Sequence, residues 1–192
     1  MKILSKEDIL KNEEFYINEI LLGKVFIYPT DTVYGLGVNA LNNNYVNKIN
    51  IIKKRRNKFL LVIAPNINWI LKNTFINDNT KKIINQKLPG QYSFILNLKN
   101  TVNISMLATN NFKTIGIRIP NCWFYEIISK AKVPFITTSV NLSGQPSAIK
   151  ISEINKEILN KVDYIISDDS ILSGKSSIII DLSKEKEEII RN

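Results

Sequence analysis

At 192 residues, 44% apolar and 22% charged, the chain has the size and balance of a globular domain with a real core. It has no histidine and one cysteine, Cys122, which excludes Ser-His-Asp catalysis, a cysteine zinc cluster and an internal disulfide, and points to a reducing, cytoplasmic setting. The net charge of +9 has two readings: lysine accumulating with Ile and Asn through A/T-rich codons, or a basic surface for RNA or nucleotides.

Along the chain, Ser5 and Asp8 form a capping box, and Ile9, Leu10, Tyr16, Ile17, Ile20 and Leu21 recur at helical spacing up to Gly23. KVFIY (24–28) reads as a buried strand ended by Pro29. A loop at Asn42–Asn44 leads into a helix over about 43–54, with Val46, Ile49 and Ile52 on one face. Strands are predicted at 59–64, 92–98, 114–119, 133–138, 163–167 and 177–182, and helices at 66–72, 80–87, 121–132 and 152–161. No apolar run reaches membrane-span length, and the N-terminus turns polar too early for a signal peptide. The alternation predicts one α+β domain (mixed α/β) over residues 1–192, with a twisted, mostly covered mixed sheet flanked by helices.

Two motifs are decoys. Gly35-x-Gly37-x-x-Ala40 matches a dinucleotide fingerprint, but PTDTVY separates it from the preceding strand, and no acidic strand end follows about 20 residues on. SGKSS (173–177) resembles the end of a P-loop, yet the loop's first glycine position holds Asp169, whose charge would oppose phosphate.

What remains is a polar, basic constellation at strand ends: YPTDTVYGLG (28–37), KKR (53–55), TIGIRIP (114–120) and TTSVNLSGQPS (137–147). Thr30 and Thr32 sit where a loop leaves the sheet, and Gly35 and Gly37 admit close backbone approach to a ligand. Lys53 and Arg55 lie at a helix end, where they either bind an anion or complement the helix dipole. The chain has only four arginines, Arg55, Arg56, Arg118 and Arg191; each marks a place where a planar, bidentate donor is preferred to lysine. Alternation puts Arg118 on one face with Gly116 and Pro120, either binding an anion or simply solvated.

The order YPTDTVYGLG, K-x-R, PGQYSFIL, IGIRIP, S-x-N-x-SG and SSIIID resembles the YrdC-like family of threonylcarbamoyl-AMP synthases, in its short single-domain form. The resemblance runs from about residue 20 to 192 and implies a YrdC-like fold. It implies a nucleotidyltransferase for tRNA processing, which turns L-threonine, bicarbonate (or CO2) and ATP into threonylcarbamoyl-AMP and pyrophosphate. ATP is then a substrate, with Mg2+ bound through its phosphates. A separate tRNA threonylcarbamoyl transferase complex is the downstream partner, weak tRNA binding is compatible, and no membrane is involved. Because the substrate's own carbamate attacks ATP, no catalytic Ser, Cys or His is needed. Carried over by motif, Lys53, Arg55, Ser139 and Asn141 surround the phosphates and the reacting carbamate. Thr30, Thr32, Arg118, Thr137 and Ser177 receive threonine, and Arg55, Thr114, Ser139, Asn141, Ser147 and Arg191 contact ATP. Asp31, beside the threonine loop, is the alternative candidate for a base.

The chain departs from the family pattern in four places. After Arg55 it runs RRNKFLL, shorter and without the family's prolines, so contacts from Asn57 or Lys58 are open. Asn121, Cys122 and Trp123 replace an acidic-His-Pro run, Val140 replaces alanine, and Arg191 stands one residue from the end. Two other readings remain: a non-catalytic double-stranded RNA or tRNA-binding module, lacking visible stacking motifs, and carbamoyl-adenylate chemistry of the hydrogenase-maturation type, for which the accompanying zinc-finger and acylphosphatase modules have no room.

Overall fold

Successive apolar side chains along a strand point to opposite faces, so a sheet built from them must be covered on both sides. The structure, a computed structural model, describes residues 3–54, 60–99, 102–109, 111, 113–184 and 186–191. Its ten strands are β1 (Ile3–Leu4), β2 (Phe26–Tyr28), β3 (Gly35–Gly37), β4 (Leu61–Ile63), β5 (Tyr92–Asn97), β6 (Thr114–Arg118), β7 (Phe135–Ser139), β8 (Tyr164–Ile166), β9 (Ile178–Asp181) and β10 (Glu188–Arg191). They form one sheet, mixed as the sequence predicts, in the order β1-β8-β2-β3-β7-β4-β6-β5-β9-β10. Ile27, Val62, Ile136 and Ile165 enter one core cluster. Their neighbours Phe26, Ile63, Phe135 and Ile166 enter the other.

The helices are α1 (Lys6–Lys11), α2 (Glu13–Leu21), α3 (Asn43–Ile52), α4 (Ile67–Asn73), α5 (Asp78–Lys87), α6 (Phe124–Lys130) and α7 (Lys156–Leu159). The single N-terminal helix predicted up to Gly23 is two. Asn12 leaves helical geometry (φ −126°, ψ 39°) and its side chain bonds the Asp8 carbonyl at 3.0 Å, a side-chain bond that competes with the helix. The Ser5–Asp8 capping box forms as predicted, but Leu10 and Leu21 are exposed. Asn42–Asn44 is no loop: Asn42 caps α3 through Asn44 N–H at 2.8 Å, and the other two begin its first turn. The helix predicted at 152–161 is a 3-10 turn (Ile151–Glu153) followed by the single turn of α7.

Three strands are not predicted. β1 has only two residues, and every residue of β10 is exposed. β3 is Gly-Leu-Gly, and its glycines serve packing. A Cβ on Gly37 would collide with the Ile136 carbonyl and the Phe135 ring, and one on Gly35 would stand 2.7 Å from Tyr28 Cζ. β3 therefore fits between β2 and β7 only without side chains at these two positions.

Candidate functional site

β2, β3, β7, β4 and β6 lie side by side; the loop after β2 leaves level with Ser139 at the C-terminal end of β7, while β4 and β6 run antiparallel to β7 and set Arg118 level with Phe135 at its start. They enclose a cleft of about 290 Å³ that also takes in the end of α3, Ser177 and β10. Ten residues singled out from the sequence line it: Thr30, Thr32, Gly35, Lys53, Arg118, Thr137, Ser139, Asn141, Ser177 and Arg191. Thr114 and Ser147 do not. Thr114 opens β6, opposite Asn97, four residues and roughly 13 Å along the strand from Arg118. Arg55, Asn57 and Lys58 lie outside the described residues.

Arg118 is not a solvated face residue but is 4% exposed. Its Nη2 donates to Asp31 Oδ1 at 2.5 Å and its Nη1 to Thr32 Oγ1 at 3.2 Å. Asp31 is fixed in turn, its Oδ2 accepting from Asn121 N–H at 3.0 Å and its carbonyl from Gln91 Nε2 at 2.7 Å. Both carboxylate oxygens are thus engaged, which leaves Asp31 poorly placed as a base. Among the described residues, Arg118 Nε is buried without a hydrogen-bond partner. One edge of the guanidinium is tied to the protein and the Nε corner is unsatisfied.

Lys53 is buried too, and its ammonium does not cap its own helix. It donates to the Ser139 carbonyl (2.5 Å), the Asn141 carbonyl (2.9 Å) and Asn141 Oδ1 (2.8 Å). Ser139 Oγ donates to the same Oδ1 at 2.7 Å, and Asn141 Nδ2 reaches the Gln145 carbonyl. Lys53 therefore sets the shape of the S-x-N segment and places a positive charge beneath it. That is a preorganised electrostatic floor rather than a freely swinging donor.

On the opposite wall Arg191 is held in place despite its terminal position. Its Nε donates to the Ser177 carbonyl at 2.9 Å and its Nη2 to Ser177 Oγ at 3.0 Å. Desolvation, then the nearby Arg118 charge, hold Arg191 below the ordinary guanidinium range, as expected where two cations face one space. Thr137 Oγ1 accepts from Tyr28 OH at 2.7 Å.

The residues that depart from the family pattern are also in use. Asn121 holds Asp31, and Trp123 Nε1 donates to Asp168 at 2.9 Å, beside the turn that Tyr34 OH grips through Asp169. Burial pushes the Cys122 thiol up to about 12, so it is no nucleophile at neutral pH. Sequence reasoning missed Tyr34, Thr138, Ser143 and Ser176 as lining residues. All four stand inside quoted motifs, which was the available signal.

Among the described residues, a mixed sheet gathers two arginines, a lysine, hydroxyls and a carboxamide around one cleft, the donor set of a site for small anions. The Sua5/YciO/YrdC family, described as "Telomere recombination", matches residues 18–192, and the chain belongs to it. A protein of Methanocaldococcus jannaschii, provisionally named threonylcarbamoyl-AMP synthase, is 41% identical over 184 residues, covering 95% of this chain and 86% of that one. A Pseudoalteromonas atlantica protein named threonylcarbamoyl-AMP synthase is 28% identical over 169 residues, covering 84% and 87%. P. abyssi Sua5, solved in complex with L-threonine, superposes with a TM-score of 0.86 at 23% identity, over 100% of this chain and 57% of that one. The chain thus spans little more than half of that protein, and the likeness there is one of fold.

Proposed function

We propose that this chain is an L-threonylcarbamoyl-AMP synthase, joining L-threonine, bicarbonate or CO2, and ATP into threonylcarbamoyl-AMP and pyrophosphate. The observation that carries the reading is Arg118: buried, oriented by Asp31 and Thr32, and unpartnered at Nε among the described residues. A buried donor of this kind is completed by a carboxylate or phosphate oxygen. The names of the relatives supply the identity of the substrates.

In this reading threonine's carboxylate rests on Arg118, with Thr137 and Ser177 close by, and its hydroxyl meets Thr32. The free amine captures CO2 as a carbamate, releasing a proton to solvent. A carbamate oxygen attacks the α-phosphorus of ATP; the new P–O bond forms as the α–β bridge breaks, and pyrophosphate leaves. Lys53 acts through its charge and by shaping the strand end, Ser139 and Asn141 face phosphate and carbamate, and Arg55 is assigned to the same group by its motif. Arg191 belongs to the nucleotide end, with Thr114 and Ser147 farther out. Mg2+ carried by the triphosphate's own oxygens supplies further charge neutralisation. Among the described residues no three His, Cys, Asp or Glu side chains converge on a metal position.

The product serves threonylcarbamoyladenosine formation beside the tRNA anticodon, carried out by a separate transferase complex. Weak tRNA contact with the basic surface and a cytoplasmic location belong to the same proposal. Among the described residues no helix is long and apolar enough to cross a membrane. We read residues 1–192 as one YrdC-like domain, supported by the single sheet that joins both core clusters. Pyrophosphate release that requires threonine and bicarbonate together is the test, and ATP turnover indifferent to threonine would overturn the proposal. Activity should rise through mildly alkaline pH without an inflection near ~6.5, the histidine value.

A further inference from the structure

The hydroxyls of Thr30 and Thr32, at the threonine end of the cleft, are hydrogen-bonded in one direction only. The Val33 carbonyl can only accept, so the single proton of Thr30 Oγ1 goes to it, at 2.7 Å. Thr30 Oγ1 then receives Thr32 N–H at 3.1 Å. It also lies 2.8 Å from Thr32 Oγ1, and with its own proton spent it can only accept there. The proton of Thr32 therefore points at Thr30. Arg118 Nη1 can only donate, and it occupies one lone pair of Thr32 Oγ1 at 3.2 Å. Thr30 Oγ1 is left saturated. Thr32 Oγ1 is left without a proton to give and with one lone pair for whatever enters the cleft, which both residues line.

Resting on the function proposed above, we infer that the cleft recognises its amino-acid substrate through a hydrogen-bond donor on the substrate's β-carbon, and that Thr30 sets this polarity as a positioning residue. Asp31 reinforces the direction, since its grip on Nη2 aims Nη1 at Thr32. A β-hydroxyl satisfies the free lone pair. A β-fluorine, close to a hydroxyl in size but unable to donate, brings one acceptor against another, and a β-hydrogen leaves the lone pair unmet. Hydrogen-bonding sites discriminate strongly against analogues that lack the bonded group.

The test measures kcat/KM for pyrophosphate release by the full chain with three substrates: L-threonine, 2-amino-3-fluorobutanoate of threonine's configuration, and L-2-aminobutanoate. The fluoro compound should fall about tenfold below threonine and do no better than 2-aminobutanoate. A fluoro compound used within about fivefold of threonine overturns the inference while leaving the synthase reading intact. No release with threonine itself overturns that reading and this inference together. Thr30→Val removes the acceptor for the Thr32 proton, which can then turn to the substrate, so the gap between threonine and the fluoro compound should narrow. Thr30→Ser keeps the relay and should keep the gap. An unchanged gap in a folded Thr30→Val variant removes Thr30 from the role. If that variant does not fold, Thr30→Ser and the analogue series on the unaltered chain decide.

Discussion

Replacing Asp31 by asparagine keeps the volume and removes one charge from a pair that is nearly out of water, with side chains 5% (Arg118) and 9% (Asp31) exposed. Two costs follow. Arg118 retains its charge without a counterion, and breaking a buried pair in this way typically costs about 3–5 kcal/mol. The new amide also faces two donors, Asn121 N–H and the guanidinium, with only one oxygen to offer, and a bond left unmade costs about 1–3 kcal/mol. The pair borders the cleft, where water can relieve part of both costs, so a net loss near the low end, about 3 kcal/mol, is expected. Urea unfolding followed by the fluorescence of the two tryptophans measures it. Arg118→Met and the double variant complete a cycle. Because neither charge is then buried alone, the double variant should be more stable than the summed single losses by about 2 kcal/mol. A loss under about 1 kcal/mol for Asp31→Asn, or additivity in the cycle, would refute the account of Arg118 as an oriented, desolvated cation.

Lys53→Met removes a charge and takes one donor from each of three acceptors, so it should lower pyrophosphate formation about ten- to a hundredfold and speed amide exchange across residues 139–141. Unchanged exchange there would contradict its part in shaping the segment. Gly37→Ala drives a methyl into the Ile136 carbonyl and should cost about 1–3 kcal/mol, read as a lowered Tm; an unaltered Tm would mean that β3 relaxes freely. Burial raises the Cys122 thiol to about 12 from 9.0, so its contribution to stability is complete below pH 9 and is lost as pH climbs from there toward 12. The slope from this one group approaches about 1.4 kcal/mol per pH unit, and Cys122→Ala should flatten the fall in urea midpoint just above pH 9. Persistence of the full slope in that variant would remove Cys122 as its source.

The parts of the fold visible in the sequence are those where local chemistry and tertiary demand agree. The Ser5–Asp8 box and the Val46/Ile49/Ile52 face announce helices, and both are found. β3 was invisible because Gly-Leu-Gly has no strand propensity; it is a strand only because its neighbours leave no room for a Cβ. Asn12 ends α1 through a bond to Asp8 that apolar periodicity does not register. At the site, the scarcity of arginine pointed to Arg118 and Arg191, and these two line the cleft together with Ser139 and Asn141 of the S-x-N motif and Thr30 and Thr32 of the TDT motif. The sequence could not show the direction of each side chain's hydrogen bonds. Lys53 has the composition of a phosphate ligand, yet its ammonium is turned toward main-chain carbonyls 86 and 88 residues away.

The bonds that define the cleft join residues far apart in the chain: Thr32 and Arg118 are 86 positions apart, Tyr28 and Thr137 109, Tyr34 and Asp169 135. None of them can form until long loops have closed, which places this topology among those that fold on the millisecond-to-second scale. The binding site is therefore absent from any partly folded chain that lacks even one of these strands. A ligand spanning the cleft binds the folded state alone, so saturating substrate stabilises the whole sheet by mass action, about 2.7 kcal/mol at a hundred times Kd. Melting temperature thus becomes a direct gauge of site occupancy, and in a cell short of substrate more of this protein would stand unfolded and open to proteolysis.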